Sequence, residues 1–112
     1  MKAKPYKRIP GSHWTDNPCP VEEAQIVMLR LPGPLAALMI PVMLKGQRAG
    51  TGNWTWNGDT EKPTLRPSIL NDFREHDPEG MVNHIWITDG RVIFLPDCTH
   101  ELAGQTLDLL DV

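Results

Sequence analysis

This chain has little of what would make its function obvious. It has only two cysteines, Cys19 and Cys98, too few for a disulfide framework. No apolar stretch follows the N-terminal lysines, so no signal peptide is read. The longest apolar run, Leu35 to Leu44, is too short to span a bilayer, and Pro41 interrupts it. These absences point to a cytoplasmic chain with no membrane role and with reduced thiols. The Asn53-Trp54-Thr55 sequon is then without meaning. Basic excess is missing too. The net charge is −3, which leaves no field for nucleic acid and argues against a stacking platform for single strands. Lys2, Lys4, Lys7 and Arg8 read as a solvated arm. Tyr and Phe are scarce, with one and two copies against four Trp.

Turn residues, by contrast, are plentiful. Eleven Pro and nine Gly in 112 residues, with short apolar runs between them, indicate a mostly β, loop-rich fold rather than a helical bundle. The expectation is a small antiparallel sheet with long loops, a β-rich α+β arrangement being the alternative. Size allows one domain, read as an extended arm over residues 1–20 and a β-rich domain over 21–112. Strands are expected at 24–31, 38–44 and 54–56, with Pro41 demoting the second to an edge or a bulge. Both indoles of Trp54 and Trp56 should share a face. Prolines 63 and 67 exclude helix from 61–68, which should run extended into Ile69 and Leu70. Residues 46–52 read as a flexible loop and 71–80 as an exposed one. One helical turn is expected at 99–102, closed by Gly104, and a last strand within 105–112.

The strongest local signal is the hairpin. Two β-rich runs flank Asp89-Gly90, the pair favoured in a type I′ turn. A two-residue loop sets the register, so Thr88 faces Arg91, Ile87 faces Val92, Trp86 faces Ile93, Ile85 faces Phe94 and His84 faces Leu95. His84 then lies beside the tetrapeptide Asp97-Cys98-Thr99-His100.

That grouping carries the chemistry. His84, Cys98 and His100 read as three zinc ligands with an open position for water, since thiolate and imidazole suit zinc. Glu61 is the carboxylate offered as general base. A second reading makes Cys98 a nucleophile, activated by His84 or His100, with Asp97 orienting the imidazole. A third makes Cys98 a buried core residue and the histidines hydrogen-bonded structural groups; it weighs as much as the other two together. Asp97 can equally cap the turn that follows it. Ser68, between Pro67 and Ile69, lacks a Gly-x-Ser-x-Gly elbow and reads as a plain hydroxyl. Trp54, Trp56 and Trp86 read as packing before they read as a binding face. His13, Trp14 and His76 read as surface residues.

Four segments carry a resemblance: Trp54-Thr55-Trp56-Asn57-Gly58-Asp59, Glu61-Lys62-Pro63-Thr64, Pro67-Ser68-Ile69-Leu70 and the stretch from Asp97 to Thr106. Over residues 24–112 the chain resembles a family of small proteins common in phage and prophage genomes. Relatives sit in bacterial ubiquitin-like conjugation operons and are regarded as peptidases. Some members bear the label ammonia monooxygenase, which nothing in these residues supports. The resemblance implies a peptidase-like hydrolase acting on an amide bond of a protein or peptide partner. The rival is a non-catalytic accessory protein that binds a host or phage protein and has a degenerate metal site. Many members read Cys-Pro-Gly-Cys-Gly-x-x-His where this chain has Leu31-Pro32-Gly33-Pro34-Leu35-Ala36-Ala37-Leu38, and Cys-His where it has Asn83-His84. An apolar plug of Leu31 and Leu38 is expected in place of those ligands.

Overall fold

The structure is a computed structural model and describes residues 1–44 and 53–112. The loop read at 46–52 lies outside the described residues. Among the described residues, eight strands form one sheet in chain order: β1 (Ala3–Tyr6), β2 (Ile26–Arg30), β3 (Ala37–Leu44), β4 (Trp54–Trp56), β5 (Leu65–Asp72), β6 (Val82–Thr88), β7 (Arg91–Phe94) and β8 (Thr106–Asp108). Single turns of 3₁₀ helix at Trp14–Asp16 and Val21–Glu23 are the helical elements among the described residues. The mostly β expectation therefore holds. Residues 99 and 100 form a bend and 101–104 hydrogen-bonded turns, not a helix. Among the described residues no helix is long and apolar enough to cross a membrane.

The sheet curls on itself. Leu110 N–H donates to Arg30 O at 3.0 Å and Val112 N–H to Met1 O at 2.9 Å. Alternation along the strands fills the inside with Val27, Leu29, Ile40, Val42, Ile85 and Ile87, all buried, as period-two patterning requires. Trp56 is completely buried and Trp54 half-buried on the same face of β4. The N-terminal segment is extended, but it is no loose arm: Ala3 to Tyr6 pair with Leu29 to Ile26, and Lys2 Nζ donates to Leu109 O at 2.7 Å.

Two features of β3 depart from expectation. The β3–β4 pair is parallel, Val42 facing Trp54; all other pairs are antiparallel. Pro41 does not put β3 on an edge. Pairing with β4 begins only at Val42, so the missing proline N–H interrupts no ladder on that side.

The hairpin has the anticipated register, from Ile85 facing Phe94 to Thr88 facing Arg91. Leu95 N–H donates to His84 O at 2.9 Å. Asp89 and Gly90 have φ of 49° and 77°, the double positive φ of a type I′ turn. A Cβ at Gly90 would lie 3.1 Å from Glu61 O. Gly90→Val should therefore destabilise the fold by about 1 kcal/mol or more, because a β-branched residue resists positive φ and this site also crowds it. A denaturant midpoint equal to wild type would contradict this.

Candidate active site

A bulge in β5 builds the site. Leu65 faces Ile87 and Ile69 faces Ile85. Three residues of β5, Arg66, Pro67 and Ser68, thus oppose Trp86 alone. The extra residues push the strand outward. The Arg66–Pro67 peptide is cis. Beyond the bulge Ile69 points into the core, 2 % exposed, so Ser68 and Leu70 point out. Leu70 is paired directly with His84. Ser68 is the diagonal neighbour of that histidine on the outer face, within side-chain reach.

Neighbouring side chains hold the bulge from both sides. Arg66 Nη1 donates to Leu65 O at 2.7 Å and Ile87 O at 3.0 Å, and Nη2 donates to Thr88 Oγ1 at 3.0 Å. The guanidinium also lies over the Trp86 ring, 5.0 Å from its centroid, a cation–π contact. It supplies donors to carbonyls where the β5–β6 ladder is broken. From β4, Trp54 Nε1–H donates to Ser68 O at 3.3 Å.

Three side chains then line up. Ser68 Oγ is 3.2 Å from His84 Nε2. His84 Nδ1 is 2.9 Å from Asp97 Oδ2. A carboxylate only accepts, so Nδ1 carries the proton. Nε2 is then the lone-pair nitrogen, and Ser68 Oγ–H donates to it. The side chain of His84 is 26 % exposed and that of Asp97 59 %. The site lies open on the sheet's outer face. Asp72 and Arg74 form its charged rim, with the guanidinium gripping the carboxylate at 3.0 and 2.7 Å. That contact holds the Asp72 carboxyl down at about 2.

The expected zinc set is arranged otherwise. Its three members are neighbours, but their donor atoms do not converge. Both ring nitrogens of His84 are taken by Ser68 and Asp97. The Cys98 thiol, buried, accepts from His84 N–H at 3.2 Å and donates to His84 O at 3.3 Å. His100 Nε2 meets Asn83 Oδ1 at 2.9 Å, and Leu102 N–H donates to its Nδ1 at 3.2 Å. Among the described residues, no group of three or more His, Cys, Asp or Glu side chains is placed to hold a metal ion. Glu61 is not brought to the site. Its carbonyl lies against the hairpin turn at Gly90, and His84 is six residues back along β6, about 20 Å at ~3.3 Å per residue.

Leu31 and Leu38 are both buried in the core, and Pro34 is exposed. Burying each leucine is worth about 1.5–3 kcal/mol. Leu38→Ala should therefore lower stability by about 2–5 kcal/mol, while a chelator should leave the wild-type thermal melt in place. A melt that collapses on chelation would mean that metal-binding energy is part of the folding energy.

Sequence reasoning set Ser68 aside. It did single out His84 and Asp97, as zinc ligand and turn cap and, in the cysteine-nucleophile reading, as the activating and orienting groups of Cys98. The missed signal was a serine two residues before the direct partner of His84, readable only once β5 and β6 are aligned. Asp97 orients the imidazole, the role it had in the cysteine-nucleophile reading, but the hydroxyl on the far nitrogen belongs to Ser68.

A family model described as bacterial ubiquitination-like system serine protease (BubE) matches residues 11–95. The match takes in Ser68 and His84 and ends two residues before Asp97. No curated protein matches the chain, and no solved structure does.

Proposed function

The chain belongs to the bacterial ubiquitination-like system serine protease family, and from that premise we propose that it is a serine protease whose nucleophile is Ser68, whose base is His84 and whose orienting acid is Asp97. The observation that carries the reading is the unbroken relay from Ser68 Oγ through both nitrogens of His84 to Asp97 Oδ2, at 3.2 and 2.9 Å. The order Ser, His, Asp along the chain differs from that in three well-known serine hydrolase folds. Such sites are recognised by geometry and role rather than by sequence position.

Each residue does one thing. As Ser68 Oγ attacks the carbonyl carbon of a peptide bond, its proton passes to His84 Nε2. The imidazolium that results is stabilised by the Asp97 carboxylate, which stays ionised. His84 then gives that proton to the leaving amine, the C–N bond breaks, and the acyl group remains on Ser68 as an ester. Water attacks the ester, His84 again takes and returns a proton, and the acid product leaves. The substrate is a protein or peptide. The site's openness on the outer face suits a chain laid across the sheet, and Leu70, 55 % exposed next to His84, offers it an apolar contact.

The test is covalent capture. Diisopropyl fluorophosphate should add one diisopropylphosphoryl group with loss of fluoride, found on the tryptic peptide containing Ser68, and chelator should not prevent it. Absence of labelling at Ser68 would favour the non-catalytic binding protein. Labelling at Cys98 instead would favour the thiol nucleophile.

A further inference from the structure

Asp97 is the exposed member of the site, and among the described residues His84 is the hydrogen-bond partner of its carboxylate. Its position must therefore come from the chain around it. The three residues that follow each grip one residue of β6. Cys98 takes both backbone groups of His84 through its thiol, at 3.2 and 3.3 Å. Thr99 takes both backbone groups of Val82: Val82 N–H donates to Thr99 Oγ1 at 2.9 Å, and Thr99 N–H donates to Val82 O at 3.0 Å. His100 takes the side chain between them, Asn83, which is 1 % exposed. The Leu102 N–H aimed at His100 Nδ1 leaves Nε2 as the protonated nitrogen, so Nε2–H donates to Asn83 Oδ1. Phe94 meets the His100 ring edge to face, with centroids 5.1 Å apart.

We infer that Cys98, Thr99 and His100 form a three-point clamp that fixes the loop carrying Asp97 onto β6 and so holds the carboxylate against His84 Nδ1. They are positioning residues and touch no substrate. The inference rests on the Ser68–His84–Asp97 reading. Local geometry makes the clamp effective. It seizes Val82, Asn83 and His84 themselves, so the acid and the base move as one body. A misplacement of about 1 Å at such a site is enough to lose roughly a hundredfold in rate.

The test is the second-order rate of Ser68 phosphorylation by diisopropyl fluorophosphate, read by mass spectrometry on the full chain. Thr99→Val keeps the shape and removes the acceptor for Val82 N–H. It should slow labelling by about ten- to a hundredfold, while Thr99→Ser, which keeps the hydroxyl, should stay near wild type. In an Asp97→Ala background Thr99→Val should have no further effect, since coupled residues are not additive. A merely structural role would slow both backgrounds alike and would overturn the clamp. Wild-type labelling with Thr99→Val unaffected would also overturn it and leave the triad standing. No labelling of wild type at Ser68 would overturn both. Thermal melts accompany each variant. If Thr99→Val does not fold, Cys98→Ala, which removes the thiol contacts to His84, is judged by the same criteria.

Discussion

Ser68→Ala should remove essentially all peptidase activity, a loss on the order of 10⁶-fold in kcat where such a group acts in concert with its base. The fold should not notice. Ser68 is outside the core, its side-chain contact is to His84, and the bulge is held by the Arg66 guanidinium and the Trp54 indole rather than by the hydroxyl. The thermal melt should therefore stay within the small shift typical of surface substitutions, about 0.5 kcal/mol. His84→Ala should cost about as much, and combining the two should cost little more, because each change alone already stops the step they share. The measurement is turnover of a peptide or of the protein substrate by purified wild-type and variant chains. Full activity in Ser68→Ala would end the serine mechanism.

The fold was legible where order is local and hidden where it is not. Residues 84–95 declare their own partner through Asp89-Gly90, so the register of β6 and β7 and the face of His84 could be read directly. The β5–β6 pairing could not. Nine residues, 73–81, separate those strands, and the bulge at Arg66, Pro67 and Ser68 breaks the simple count between Leu65 and Ile69. That count decides whether Ser68 meets His84, and the Gly-x-Ser-x-Gly motif, which belongs to another fold, carries no information about it. The parallel β3–β4 pair was hidden for the same reason: nothing local to Val42 or Trp54 specifies the partner. Tetrapeptide 97–100 was legible as important, yet residue type alone does not say whether a Cys and a His ligate a metal or bond to backbone and amide. Thiol and imidazole can do both, and only the direction of their side chains separates the two.

Asp97→Asn should give the second large effect, a fall of roughly 10²- to 10⁴-fold in kcat with KM little changed. A carboxylate can only accept a hydrogen bond, so it enforces Nδ1–H on His84 and leaves Nε2 free to take the serine proton. An amide can also present its N–H₂ to Nδ1. The imidazole would then carry its proton on Nε2, facing Ser68, where it cannot act as base. The amide also loses the negative charge that stabilises the imidazolium during attack. Because the Asp97 side chain is 59 % exposed, water screens that charge more than in a buried site, which is why the range extends below the largest losses known for this change. The effect should vanish in combination: Ser68→Ala with Asp97→Asn should be no slower than Ser68→Ala alone, since no attack remains for the acid to assist. Proton resonances supply an independent check. The His84 Nδ1–H signal of the wild-type chain should move or broaden in Asp97→Asn while the backbone spectrum of β6 and β7 stays in place. An unchanged rate and an unchanged imidazole signal would show that Asp97 is a bystander to His84.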